Sequence, residues 1–257
     1  MAKIHKLDIY QNAIDSLNEG IEMCEKALKD ESKYKFSIIL ITNFMELILK
    51  RLVELENKLL IFDEPYSEKI SKAKTITWSQ AIQILTNSGK IINKKLIDDI
   101  KKITCIRNNI VHSKFEYNVY EIDSIILSVI DGLRQLYLVT SGEDLINDVQ
   151  ENTRAFLEKI KHDYLNQLHQ AQFRAKDESE EKKLTVVDCN FCGESETAVA
   201  KENGETNCYF CEETDYEEEC ARCFTPYLIS EMEYFGEDEF GAPMFFCQHC
   251  NGLLNED

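Results

Sequence analysis

The chain has 257 residues, 44% hydrophobic and 30% charged, with a formal net charge of −18. These proportions are ordinary for a soluble globular protein, and the length suits one large domain or two small ones with a real core. Its start, MAKIHKLDIYQNAID, has no continuous apolar stretch of signal type, and its most apolar segment, FSIILITNFMELILK, is broken by Asn43, Glu46 and Lys50, so neither export nor a membrane span is expected. A cytoplasmic, reducing setting follows, in which the ten cysteines do not form a disulfide framework.

Three prolines and nine glycines favour long helices over many turns. Residues 4–29 carry Ile4, Leu7, Ile14, Leu17, Ile21, Cys24 and Leu28 near a 3.6-residue period, which predicts a first helix. A second over 34–60 is apolar nearly all round and is expected at the centre of a bundle. Its polar stripe is Asn43, Glu46, Lys50 and Asn57, and Asp63-Glu64-Pro65 is expected to end it. A shorter helix follows Thr77 and closes at Asn87-Ser88-Gly89. Helices over 92–112 and 119–139 come next, then a long amphipathic one over 143–176. The polar segment 176–183, KDESEEKK, reads as a linker. Cys24 and Cys105 are expected to be small packing residues.

Beyond the linker the composition changes. Residues 1–183 hold 27 Lys+Arg against 29 Asp+Glu, whereas 184–257 hold 2 against 18. Eight of the cysteines also lie after residue 184. They form four pairs of one spacing: Cys189/Cys192, Cys208/Cys211, Cys220/Cys223 and Cys247/Cys250. Two thiolates separated by two residues reach one tetrahedral ion from a tight turn, and two such pairs close a four-cysteine site. Two structural Zn2+ ions are therefore expected, with iron–sulfur or redox chemistry as the alternatives. Loop closure favours first-with-second and third-with-fourth pairing over an interleaved arrangement. The intervening loops suit the hairpins of a double zinc ribbon, whose metal supplies folding energy that a small core lacks. His249, inside the fourth pair, is expected to be a spectator. With only Lys201 and Arg222 as cations, this module would repel phosphate and is expected to bind a basic protein surface or to fold against the helical domain, where it could occupy the basic region near Arg107.

Chemistry is sought at the end of the 92–112 helix, in Arg107-Asn108-Asn109-Ile110-Val111-His112. Leu96, Ile97, Ile100, Ile103, Thr104, Ile110 and Val111 define its apolar face. Arg107 projects from the middle of that face, so it is expected at a cleft or subunit interface. Asn108 and His112, four apart, act together. Lysines at 90, 94, 95, 101, 102 and 114 make the region locally basic.

An all-helical domain with R-N-x-x-x-H at the end of a late helix resembles the HEPN family. Arg107 and His112 match that family's signature, and Asn108 matches the polar residue that often follows the arginine. The resemblance covers residues 1–140, leaving 141–183 as long helix and linker and 184–257 as the acidic double-ribbon module. The implied fold class is mainly α, a HEPN-like helical bundle with a long C-terminal helix, followed by a small β-rich two-zinc module. The resemblance implies a metal-independent endoribonuclease acting in phage defence, as a toxin or in RNA processing, with its site formed across a homodimer. Arg107, Asn108 and His112 would be catalytic, with no cofactor for catalysis, and RNA would be cut by 2′-OH attack. Glu46, Lys50 and Lys114 are candidate cleft residues. One toxin subset of the family carries tyrosine where Lys114 stands. The alternative is a non-catalytic HEPN scaffold that dimerises and whose acidic ribbons bind a protein.

Overall fold

The computed structural model describes residues 8–64, 74–112, 119–237 and 242–252. The protein is mainly helical, with a small β-rich C-terminal region, and divides into two compact units, 1–162 and 163–257. The division falls inside a helix, not at residue 184 where charge and cysteine content change.

In the first unit, α1 (Ile9–Ala27) opens on Asp8, whose carboxylate accepts the Gln11 amide, a side-chain cap for one of the orphan amides of the first turn. It pairs extensively with α2 (Tyr34–Glu56). The approach is close: a Cβ added at Gly20 would meet Ile41 Cδ1 at 2.9 Å. α2 packs on α1, α3 (Trp78–Asn87), α4 (Lys94–His112) and α5 (Val119–Ser141), the central place expected of a helix apolar nearly all round. Ile38, Ile41, Phe44, Met45, Ile48, Leu49 and Leu52 are fully buried along it. α2 stops at Glu56, short of the expected end, because Asn57 turns extended and its side chain accepts the Leu59 amide to cap a 3-10 turn over Lys58–Ile61. Such local side-chain bonds compete with helix continuation. α3 begins with a full capping box between Thr77 and Gln80.

After α5, Arg134 grips Asp144 with Nε and a terminal nitrogen at 2.7 and 2.6 Å. Asp144 also caps a 3-10 turn over Leu145–Asp148. The long helix α6 (Glu151–Lys182) therefore starts later than expected and ends later too. The anticipated linker is helical because its lysines and glutamates are good helix formers, and Glu178 pairs with Lys182 four residues on at 2.7 Å. Lys183 in the left-handed region (φ 58°) and a bond from the Leu184 amide to the Ser179 carbonyl then close the helix.

In the second unit, the C-terminal half of α6 buries Ala171 and Ala175. Strands β1 (Thr185–Val187), β2 (Ala198–Ala200), β3 (Thr206–Cys208) and β4 (Thr214–Asp215) form one antiparallel sheet in chain order. β5 (Glu217–Glu219) pairs with β6 (Pro226–Leu228), and β7 (Met232–Glu237) with β8 (Pro243–Cys247), which leads into α7 (Gln248–Gly252). The β2–β3 and β7–β8 hairpins occupy the two loops between paired cysteines, as the ribbon reading expects. No helix among the described residues is long and apolar enough to cross a membrane.

Candidate functional site

Three of the four cysteine turns share one backbone form. The first cysteine's amide bonds the carbonyl five residues on, as Cys189 to Glu194, Cys208 to Glu213 and Cys220 to Thr225. The residue after the second cysteine takes a positive φ: Gly193 at 75°, Glu212 at 63° and Phe224 at 57°. Only glycine adopts that region freely, so Glu212 and Phe224 hold a conformation that the turn imposes. The fourth pair differs, since its residues lie in or just before α7. The turns bring the cysteines into two groups of four, Cys189/Cys192/Cys208/Cys211 and Cys220/Cys223/Cys247/Cys250, with all Sγ atoms of each group within 4.8 Å of one another. The pairing is sequential. His249 is exposed and outside the four-sulfur group.

The geometry fits a tetrahedral metal. Metal–sulfur bonds of about 2.3 Å set the sulfurs of a tetrahedron about 3.8 Å apart. Cys189–Cys211, Cys192–Cys208 and Cys223–Cys247 stand at 3.6, 3.8 and 4.0 Å. These are too long for a disulfide, and all eight thiols are free. Backbone amides aim at the sulfurs: Phe210 and Cys211 at Cys208 Sγ (3.3 and 3.5 Å), and Cys247 at Cys220 Sγ (3.4 Å). In the first centre, hydrogen bonding with Cys192 pulls Cys189 down to about 7, and bonding with Cys189 pulls Cys208 below the ordinary thiol range. Bonding with Cys189 pushes Cys192 and Cys211 above that range. Four sulfurs this close ionise together only around a cation. Apolar packing closes each centre, with Ala198, Phe191 and Phe210 at the first and Met232, Phe246 and Tyr227 at the second.

Two contributors carry no signal in cysteine spacing. The Thr197 hydroxyl lies 3.4 Å from Cys208 Sγ. Asp215, 2% exposed, accepts from Asn190 Nδ2 (2.8 Å), the Ser230 amide (3.1 Å) and Ser230 Oγ (2.8 Å). It thereby ties the turn of the first centre to the chain entering β7. A lone aspartate among many acids gives no hint of this.

In the helical unit, α4 buries Leu96, Ile100, Ile103 and Thr104, with Ile97 and Ile110 half-buried. Val111, placed on the apolar face by the helical wheel, is instead 52% exposed, as it lies at the helix end beyond the buried stripe. Arg107 continues that stripe, four residues after Ile103. It is half-buried, and its Nε is buried with no hydrogen-bond partner among the described residues. Asn108 is exposed. His112 is the last residue of α4; its side chain, and Lys114, lie outside the described residues. Glu46 and Lys50 are half-buried on α2, which packs on α4, and no ion pair joins them among the described residues. Several lysines of the basic region have acidic neighbours: Lys90–Glu56 at 2.8 Å, Lys101–Asp98 at 3.6 Å and Lys95–Asp99 at 3.7 Å. Cys105, expected to pack, is exposed, on the side of α4 away from the stripe.

Comparison of the chain with protein-family models, with curated proteins and with solved structures finds no match in any of the three.

Proposed function

We propose that this protein is a metal-independent endoribonuclease of HEPN type, with its site at the end of α4 and completed across a homodimer. The observation that carries the reading is Arg107. A half-buried guanidinium on a core-facing stripe, whose buried Nε has no hydrogen-bond partner among the described residues, is costly unless something anionic meets it. A phosphodiester matches its planar fork. RNA brings its own nucleophile. His112 takes the proton from the 2′-OH, whose oxygen attacks phosphorus. The bond to the 5′-oxygen breaks, and that oxygen leaves with a proton returned by the imidazolium so formed. The products are a 2′,3′-cyclic phosphate and a 5′-OH. Arg107 holds the phosphate and stabilises the charge developing on it, Asn108 orients it, and Glu46 and Lys50 line the cleft. Imidazole is the side chain suited to act as base or acid near neutrality.

In the same reading, each four-cysteine centre holds a structural Zn2+ with no open position, because thiolates and tetrahedral geometry select it. The acidic unit then recruits a basic protein partner, in the cytoplasm and in a defence or toxin setting. The lysine–acid pairs around α4 favour a second reading, a dimerising scaffold with no catalysis, since they weaken the pull on phosphate.

The test is cleavage of total RNA by the zinc-loaded protein in buffer free of other divalent ions, beside His112→Ala and Arg107→Ala. Cleavage by the native protein should fall about 10²- to 10⁴-fold in His112→Ala, leaving cyclic-phosphate ends only in the native digest. Equal cleavage by native and variant proteins, or none by either, would leave the scaffold.

A further inference from the structure

The second zinc-ribbon half carries aromatic rings that stay more than half exposed. Phe224, at the tip of the third cysteine turn, is 71% exposed, and Tyr234 and Phe235 on β7 are 59% and 52% exposed. They are held in place rather than loose. The β7–β8 register breaks between Tyr234 and Gly236, so Phe235 is an extra, bulged residue. Gly236 takes a φ of 142° there, a value open to glycine and few others. A bulge of this kind re-aims a side chain, and here Phe235 stacks on Phe246 with centroids 4.3 Å apart. Tyr234 meets Phe245 edge-on at 5.9 Å. The Ala221 amide bonds the Phe245 carbonyl at 2.9 Å, fastening the turn that bears Phe224 to the same hairpin.

The surroundings are acidic. Between residues 212 and 237 eight carboxylates besides the buried Asp215 accompany one cation, Arg222, and its guanidinium is bonded to the Cys250 carbonyl at 3.2 Å. Glu217, Glu218 and Glu219 are all exposed on β5. Each four-thiolate zinc centre adds a further net −2. Exposed rings fixed in a field of one sign mark an interaction surface, and the sign chooses the occupant.

We propose that the third cysteine turn and the β7–β8 hairpin form a docking surface for an arginine- or lysine-rich segment of a partner protein. The segment straddles the hairpin, since Tyr234 packs on Phe245 and Phe235 on the next residue, Phe246, which places the two rings on opposite faces; its cations lie over the open faces of Phe224, Tyr234 and Phe235 and are neutralised by the surrounding carboxylates. This rests on the reading that the acidic unit engages a basic protein, and adds where and by what chemistry. Nucleic acid is repelled by the same charge.

The test titrates a fluorescein-labelled nona-arginine peptide with the zinc-loaded full-length chain at physiological salt. A glycine–serine peptide of equal length is the control. The variant Phe224→Ala/Tyr234→Ala/Phe235→Ala keeps the charge, and its zinc content is measured alongside. Affinity at least about tenfold weaker at unchanged zinc content is expected, from the loss of several cation–π contacts. Should the triple variant lose zinc, Phe224→Ala alone replaces it, with a loss of about threefold expected. Unchanged affinity in the variant that retains zinc overturns the aromatic site and leaves a partner held by charge alone. No binding by the native chain overturns both the site and the basic-partner reading. A 20-nucleotide single-stranded RNA that binds the native chain and is lost from the same variant overturns the protein-partner assignment. RNA cleavage, which depends on His112, is untouched by any of these outcomes.

Discussion

Asp123 sits on α5 with its carboxylate largely buried and the Tyr34 hydroxyl 3.2 and 3.4 Å from its two oxygens. Burial raises its pKa from 3.8 to about 6, although the Tyr34 bond pulls the other way. A carboxyl whose folded value lies above its unfolded one stabilises the fold most below about pH 4, and that contribution is lost as pH rises through about 6. At neutral pH the native state carries the cost of a buried charge, on the order of 3 kcal/mol from a shift of this size. Asp123→Asn removes it. The variant should be more stable than the native chain at pH 8, by about 1–2 kcal/mol once the weaker amide bond to Tyr34 is allowed for. The gain should shrink towards zero near pH 5. The protein's single tryptophan, Trp78, lies in the same unit, so denaturant titrations followed by its fluorescence make the measurement. An equal gain at both pH values would contradict the assignment. At this scale the sequence is unevenly legible. A cysteine pair announces its chemistry through spacing, because both ligands must reach one ion from one turn. Asp123 and Asp215 look like any other acid until the fold encloses them. Arg107 lies between these cases: helical periodicity puts it on the buried stripe, but only the packed structure leaves its Nε without a partner.

Among elements, hydrophobic periodicity locates α1, α3, α4 and α5, because each packs a stripe on α2. The ends go astray where a short polar side chain captures the backbone, as Asn57 does after α2 and Asp144 does before α6. The polar run 176–183 misleads for a different reason. Polarity suggests a linker, yet Lys and Glu also favour an exposed helix, and the Tyr209 hydroxyl bonds Glu178, giving the helix end a partner in the ribbon. The two four-cysteine groups follow from the spacing of the pairs, whereas the turn that only the first three pairs adopt and the aspartate that joins the two ribbons do not. Replacing Asp215 with alanine takes the acceptor from the half-buried Ser230 and from the exposed Asn190, at a cost of about 1–3 kcal/mol. The variant should release metal to a chromophoric chelator at least about tenfold faster than the native chain, with Trp78 fluorescence unchanged. Asp215→Asn, which keeps acceptor oxygen for part of the network, should fall between them. Native-like release from the alanine variant would show that the two ribbons hold together without this clamp.

For the whole molecule, the two units stand on different physical foundations. The first buries a large aliphatic and aromatic core, including Phe44, Leu49, Leu52 and Tyr137, and needs no ion. The second has short strands of two to six residues and small clusters built around the cysteines themselves. A structural zinc contributes about 10–16 kcal/mol of apparent binding energy at neutral pH, as much as or more than the total stability of a typical domain, about 5–15 kcal/mol. Without metal the sulfurs of each centre also repel one another whenever they ionise. Stripping the metal with a thiol-reactive mercurial and a chelator should therefore release two equivalents of zinc and unfold residues 163–257. The dispersed amide signals of β1–β8 should collapse to random-coil positions, and the helical signal should fall as the C-terminal half of α6 loses the surface it packs on. Trp78 fluorescence, and the denaturant midpoint it reports, should stay where they were. Retention of the β-strand signals after two equivalents have left would mean that the second unit folds by its apolar contacts alone. A shift of the Trp78 transition would mean that the two units fold as one, with α6 transmitting the loss across the division at residue 162.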